Sequence, residues 1–208
     1  GLGIPAEPLF RSASMNIKEV RLLLGIVYKQ RMNCKSDTFS YHMATRNIAI
    51  IELLFASGMR VSELCDLRVC DIDMKQGCVR IIGKGNKERI IDISQKATLS
   101  AIKDWLNERG CCDSQSPLFV SRLHNILSTQ SVRLLIKNIV ASSQIEKKIT
   151  PHTFRHTYAT LLLEEGVDIT YIQHLLGHSS VVTTQIYTHV NLQKQHEILS
   201  KKHPRRLI

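Results

Sequence analysis

A histidine and an arginine three residues apart are the most distinctive chemical feature of the sequence. They stand in the segment TPHTFRH, residues 150–156. Thr150 is a suitable N-cap and Pro151 suits the first helical position, so a helix is predicted to begin here. His152 and Arg155 then share one face of its first turn, where unpaired N–H groups favour an anion. Taken as isolated residues, the pair favours an ordinary alternative, in which His152 caps the helix and Arg155 forms a surface ion pair.

A second candidate cation follows a glycine in the segment GMRVSEL, residues 58–64. Arg60 comes just after Gly58, which is expected to end an apolar helix, and Glu63 lies three residues further on. A pair at this spacing is often an ordinary ion pair. The carboxylate could equally fix the guanidinium so that its planar fork holds two phosphate oxygens, which a lysine would do less well.

Three further side chains have weak individual signals. Lys84 stands in the turn GKGNK, residues 83–87, either as a solubilising residue or as a cation and acid that a loop delivers to a phosphodiester. His178 follows Gly177 at the end of another apolar helix, and Tyr187 comes nine residues later. The ordinary alternatives are a solvated loop histidine and a packing tyrosine.

Metal and nucleotide chemistry are not supported by the spacing of the candidate ligands. The histidine pairs His152/His156 and His174/His178 are four residues apart, but HTFRH lacks the glutamate of a HExxH zinc hydrolase. The sequence contains neither a GxSxG elbow nor a GxxxxGK[ST] loop. Its six cysteines form no CxxC pair, so a reduced, cytoplasmic compartment is expected. We predict no metal and no cofactor.

Composition favours a folded protein that binds a polyanion. The 208 residues contain 28 Lys and Arg against 18 Asp and Glu, giving a formal charge of +10, and 43% are apolar. This excludes an acidic disordered chain. The longest apolar stretch, Ile48 to Met59, contains Glu52 and is too short to span a membrane. Nucleic acid is therefore the first partner to consider.

The elements that must position these residues are predicted to be mainly α with a small three-stranded antiparallel β-sheet. Apolar residues recur at helical spacing after Asn16, which has Glu19 three residues on as in a capping box. A second helix is predicted from Met43 to Ser57. Between Asp71 and Ile93 the period changes to two, which predicts three strands. Further helices are predicted at 94–109 with Ser94 as cap, 128–142, 150–165, 168–176, 180–187 and 191–201.

In this order, GMRVSEL, GKGNKER, TPHTFRHTYAT, LLGHSSVVTTQIYTHV and HPR resemble the catalytic domain of tyrosine recombinases of the phage integrase family, most of all the Xer type. The resemblance extends from about Asn16 to Arg206. It is specific because an arginine, a hairpin lysine, HxxR, LGH and a tyrosine must all occur in sequence order. It implies the fold of that domain.

The resemblance also implies a role for each candidate residue, in a reaction without metal, ATP or another cofactor. Double-stranded DNA is the implied partner and the 3′-phosphotyrosine linkage is the implied intermediate. Arg60 and Arg155 would grip the scissile phosphate, Lys84 would protonate the leaving 5′ oxygen, His152 and His178 would assist, Tyr187 would be the nucleophile, and Glu63 would support the site.

The domain organisation follows from the same resemblance. Residues 1–14 are expected to be an interdomain linker, 15–190 the catalytic domain, and 191–208 a C-terminal helix and basic tail. That tail would either pack on its own domain or dock on a neighbouring subunit. An N-terminal DNA-binding domain is expected to be absent from this chain. The protein would be a monomer in isolation and a tetramer in the DNA synapse, with no membrane and no small-molecule substrate.

Site-specific recombination or integration, as carried out by mobile elements, is the function that this pattern predicts. Two alternatives share its residues. A type IB topoisomerase uses a similar set to nick, swivel and reseal one duplex. A truncated recombinase could instead occupy a DNA site without cutting it.

Overall fold

The computed structural model describes residues 14–83, 88–177 and 189–208 of the protein. In these residues the chain is mainly helical with one three-stranded antiparallel sheet, which confirms the predicted fold class. None of the helices in this part of the chain is both long and apolar enough to cross a membrane. The elements are α1 Ile17–Met32, α2 Phe39–Ser57, α3 Val61–Asp66, β1 Ile72–Asp73, β2 Cys78–Ile82, β3 Glu88–Asp92, α4 Lys96–Arg109, α5 Thr129–Ala141, α6 Pro151–Glu164, α7 Ile169–Leu175 and α8 His189–Lys202.

Helix α2 is the centre of the fold, and every residue from Ile48 to Ser57 is buried. It packs against α1, α4 and α6. The prediction that this helix begins at Met43 was wrong, because it begins four residues earlier, at Phe39. Thr38 is its N-cap and accepts from the backbone N–H of Tyr41 at 3.2 Å. The added first turn is only partly buried, so apolar periodicity did not mark it.

The sheet has the strand order β1-β2-β3, and its register pairs Val79 with Ile91. Both of these side chains are fully buried in the main core. The prediction that Ser94 caps the next helix was wrong, since α4 begins after Gln95. The Ser94 hydroxyl instead donates to the buried carboxylate of Asp92 at 2.7 Å, which draws it back toward the strand.

A smaller apolar cluster joins α6, α7 and α8. Its buried residues include Tyr158 from α6, Leu175 from α7 and Leu199 from α8. Full burial of one leucine side chain stabilises the folded state by about 1.5–3 kcal/mol. The cluster therefore fixes the C-terminal end of α7 against the part of α6 that follows His152 and Arg155.

The C-terminal segment packs on its own chain in this structure. The Gln195 side chain accepts from the backbone of Asp92 and donates to the carbonyl of Ile90, so it satisfies the free edge of β3. Further on, the Arg205 guanidinium donates from Nε and Nη2 to the two oxygens of Glu52, which is completely buried in α2. The predicted helix at 191–201 lies within α8, and the one at 180–187 lies outside the described residues.

Candidate active site

Arg60 and Glu63 form the first part of the site, at the start of α3. Arg60 is the N-cap residue and Glu63 the third helical residue, as in a capping box. The Glu63 carboxylate accepts the backbone N–H of Arg60 at 2.8 Å and its Nη1 at 3.0 Å. The Arg60 side chain is 41% exposed, whereas that of Glu63 is 6% exposed. The buried Glu63 carboxylate thus binds Arg60, whose side chain remains partly exposed to solvent.

A second arginine, Arg89, also binds the Glu63 carboxylate. Arg89 on β3 donates from Nη1 and Nη2 to the two Glu63 oxygens at 2.9 and 2.8 Å. Burial would by itself raise the pKa of Glu63, but the hydrogen bonds and charge of Arg89, together with the hydrogen bonds of Arg60, lower it below the ordinary value. Glu63 is therefore a carboxylate at neutral pH.

Arg155 enters the same region from the second turn of α6. Its Nη1 donates to the carbonyl oxygen of Gly58 at 2.9 Å, and its Nη2 donates to that of Leu176 at 2.6 Å. Gly58 ends α2 and Leu176 ends α7, so the guanidinium bridges the negative ends of two helix dipoles. The segment TPHTFRH begins α6, and this helix places Arg155 within hydrogen-bonding distance of the C-terminal ends of α2 and α7.

The surroundings of Arg155 lower its pKa to about 10. Burial is the largest cause, followed by the positive charge of Arg60, and the charge of Arg89 contributes less. Glu63 acts in the opposite direction. Arg155 stays charged at neutral pH, and three guanidiniums around one carboxylate leave a net positive site.

Two glycines make these contacts sterically feasible. Gly58 has φ of +59°, and a Cβ there would lie 2.5 Å from Cδ1 of Tyr158 on α6. Gly177 has φ of +68°, and a Cβ there would lie 3.0 Å from Nη1 of Arg89. Positive φ suits glycine, and its missing side chain lets the ends of α2 and α7 approach the arginines.

The helix start predicted at Thr150 and Pro151 is confirmed. Thr150 is the N-cap and Pro151 the first helical residue of α6. The hydroxyl of Thr153 accepts from the backbone N–H of Thr150 at 3.0 Å. His152 is exposed in this first turn, one helical turn before Arg155. The structure thus brings Arg60, Glu63 and Arg155 together, with His152 exposed on the same helix as Arg155.

Lys84, His178 and Tyr187 lie outside the described residues. The chain leaves the described part at Gly83 after β2 and returns at Glu88, next to Arg89. It leaves again at Gly177, which lies against Arg89, and returns at the start of α8. Two of the described residues that border these segments, Glu88 and Gly177, therefore adjoin Arg89.

The arrangement is suited to binding and stabilising an oxyanion. Within the described residues, the only hydrogen-bond acceptor of the Arg60 guanidinium is Glu63, through Nη1, so its Nε and Nη2 remain for a ligand. Such cations in a partly buried site stabilise negative charge that develops during phosphoryl transfer. Across residues 14–83, 88–177 and 189–208, no group of three or more His, Cys, Asp or Glu side chains could hold a metal ion.

Arg89 is the site residue that the sequence analysis did not identify. It shares a strand face with Ile91 and Ile93, both fully buried. A charged residue at an inward position of a strand is a usable signal, because burial of a cation requires a partner. The partner, Glu63, is 26 residues away and could not be read from local spacing.

Comparison with known proteins identifies the family. Residues 27–194 match the model of the phage integrase family. The chain is 45% identical over 204 residues to a tyrosine recombinase of Agathobacter rectalis, covering 96% of this chain and 65% of that protein. The curated relative is therefore longer, and this chain spans less than two thirds of it.

Two solved structures extend the similarity to three dimensions. The XerA recombinase has a TM-score of 0.68 and 32% identity, covering 90% of this chain and 62% of its own. The XerH site-specific recombinase, bound to its difH substrate in a pre-cleavage complex, has a TM-score of 0.66 and 28% identity, covering 88% of this chain and 51% of its own. Neither the topoisomerase nor the non-cleaving alternative is favoured by these similarities. The chain belongs to the phage integrase family of tyrosine recombinases.

Proposed function

We propose that this chain is the catalytic part of a site-specific DNA recombinase that cuts and rejoins strands through a 3′-phosphotyrosine intermediate. The observation that carries the proposal is that Arg155 donates to the carbonyl oxygen of Gly58, two residues before Arg60, whose guanidinium is held by Glu63. Family membership supports it, as does the DNA substrate bound by the similar XerH recombinase. Double-stranded DNA is accordingly the proposed partner.

The two arginines would act on the nonbridging oxygens of the scissile phosphate. Attack on a phosphodiester concentrates negative charge on these oxygens, and fixed guanidiniums stabilise it without reorganising during the reaction. Arg60 offers exposed donors, while Arg155 is held more deeply by two helix-end carbonyls. A partly dry site strengthens both interactions relative to water.

The chemical step would exchange one phosphodiester for another. The Tyr187 hydroxyl oxygen attacks phosphorus, loses its proton, and forms the 3′-phosphotyrosine bond. The bond from phosphorus to the 5′ oxygen breaks, and Lys84 gives that oxygen a proton, with His152 and His178 assisting. Because the new ester conserves the energy of the old one, a 5′ hydroxyl from another duplex reverses the step without ATP.

Assembly on DNA would add contacts between protomers that the isolated chain does not make. We propose that four protomers act together in a synapse, while the chain alone is a monomer. In the isolated chain, the C-terminal segment packs on its own domain through Gln195, Leu199 and Arg205. In the synapse, residues 191–208 would instead dock on a neighbouring protomer. The reaction would take place in the cytoplasm, where the DNA substrate is available.

A nicked suicide duplex built from the DNA that flanks the gene tests this function. The short strand fragment released by cleavage diffuses away, so the covalent protein–DNA adduct accumulates on a denaturing gel. Tyr187→Phe should abolish the adduct and leave DNA binding unchanged. Tyr41→Phe is the matched control, since it removes the same atom from α2. An adduct that persists in Tyr187→Phe would show that another residue is the nucleophile.

A further inference from the structure

The contacts of Arg89 connect three separate parts of the site. Its Nη1 and Nη2 bind the two oxygens of Glu63, and its Nε donates to the carbonyl oxygen of Leu175 at 3.0 Å. The first contact reaches the carboxylate that holds Arg60. The second reaches the last turn of α7, after which the chain continues into the segment that contains His178 and Tyr187.

We infer that Arg89 is a positioning residue for the proposed strand cleavage, holding Glu63 with Arg60 and the end of α7 in one fixed arrangement. The inference rests on the proposed function, because it concerns the residues to which that function assigns phosphate binding and nucleophilic attack. Arg89 acts through these groups and does not itself contact the DNA.

Exposure separates Arg89 from Arg60, the arginine with donors open to phosphate. Its side chain is 11% exposed, against 41% for Arg60. All three of its nitrogens already donate to Glu63 or Leu175. A cation whose donors are used internally, and which lies beneath the surface, fixes its neighbours and leaves substrate binding to them.

The geometry requires the planar fork of arginine. Two donors must meet both oxygens of one carboxylate while a third, in the same plane, meets a backbone carbonyl. A lysine ammonium supplies the charge but cannot make these three bonds from one rigid plane. Replacing Arg89 by lysine therefore keeps the positive charge but removes the three-bond geometry, so the two contributions can be measured separately.

The experiment compares Arg89→Ala, Arg89→Lys and Arg80→Ala in the full chain. Arg80 on β2 is the matched control, since its guanidinium also binds a buried carboxylate, Asp71, through Nε and Nη2. At saturating suicide duplex, both Arg89 variants should form adduct about 100-fold more slowly, the cost typical of a misplaced reactive group. Their DNA affinity and the final fraction of reactive protein should change little.

This pattern separates positioning from a general structural role. A variant that merely folds less well loses reactive fraction and affinity, while its surviving molecules react at the parental rate. Near-parental rates in Arg89→Lys would show that only the charge matters and would overturn the inference. So would a slowing of Arg80→Ala as large as that of Arg89→Ala.

A second measurement needs no DNA. If the parent protein forms no adduct, that result contradicts the proposed function but not the positioning role of Arg89, and this measurement still tests the latter. Hydrogen exchange is followed at the backbone amides of Leu176 and Gly177. Both Arg89 variants should exchange faster there than the parent and Arg80→Ala. Equal exchange in all four proteins would overturn the positioning role.

Discussion

The guanidinium of Arg155 donates a hydrogen bond to the carbonyl oxygen of Gly58 at 2.9 Å, across 97 residues of sequence. Arg60 stands two residues after this carbonyl. The same contact therefore joins the start of α6 to the segment that presents Arg60, the other arginine proposed to bind phosphate. Two guanidiniums far apart in sequence come to face one site because a helix cap of α2 lies between them.

Gly58→Ala tests whether this cap controls the site. A side chain would have to adopt φ of +59° and would overlap the Tyr158 ring, so we expect a loss of about 1–3 kcal/mol in the free energy of unfolding. Cleavage should fall as well, because the carbonyl bound by Arg155 shifts. Urea denaturation and adduct formation measure the two effects.

Gly25→Ala is the control for that substitution. Gly25 lies within α1, and a Cβ there would meet nothing within 4 Å, so alanine should stabilise the protein by about 0.5–1 kcal/mol. Equal stability effects at both positions would contradict the role given to Gly58.

Glu63→Gln should destabilise the protein by about 3–5 kcal/mol, because it removes the buried carboxylate that binds both Arg60 and Arg89. Asp104→Asn breaks the more exposed pair with Arg31 and should cost at most about 1 kcal/mol. Urea denaturation at pH 7 checks both values. A loss no larger for Glu63→Gln than for Asp104→Asn would refute the argument.

The effect of Glu63 should depend on pH in a defined direction. Its folded pKa is lowered, so the carboxylate stabilises the fold above its unfolded pKa of about 4.3. That stability is lost as pH falls through the folded pKa. The difference between parent and Glu63→Gln should therefore shrink in acid, and a gap that widens there would contradict this sign.

Arg205→Ala should destabilise the fold by leaving Glu52 as a buried carboxylate without its cation. Tyr28 and Thr98 still donate to Glu52, so we expect about 3 kcal/mol, the lower end of the cost of breaking a buried pair. Arg206→Ala, which removes a neighbouring exposed cation, should change the free energy of unfolding little. Equal effects would show that the C-terminal tail is not anchored through Glu52.

Lys84→Ala tests the proposed general acid. Replacing the leaving 5′ oxygen of the DNA by sulfur creates a group that departs without a proton, so this substrate should restore cleavage to the variant. The parent gains little from the same replacement. Equal impairment of Lys84→Ala on both substrates would assign the lysine another role.

Local sequence patterns predicted the parts of the site that depend on one helix start or end. Thr150 and Pro151 begin α6 as their residue types require, and the three-residue spacing of Arg60 and Glu63 gives the observed pair. The three-stranded sheet followed from alternating polarity between Asp71 and Ile93. The roles of Lys84, His178 and Tyr187 remain predictions from family resemblance.

Tertiary contacts explain what the sequence did not reveal. Arg89 meets Glu63 across 26 residues of sequence, and Arg155 meets Leu176 because an apolar cluster holds α7 on α6. Where burial was incomplete, as in the first turn of α2, the helix boundary was misjudged. The spacing of apolar residues shows which face of a helix or strand is buried. It does not show which distant residue packs against that face.

The most direct test of the account is whether Arg60 and Arg155 stabilise charge on one phosphate. Arg60→Ala and Arg155→Ala should each slow adduct formation by at least about 10²–10³ on a normal suicide duplex. On a duplex whose scissile phosphate is a methylphosphonate, which carries no charge, each variant should approach the rate of the parent on that same duplex. A loss that is as large on the neutral linkage as on the charged one would contradict the claim.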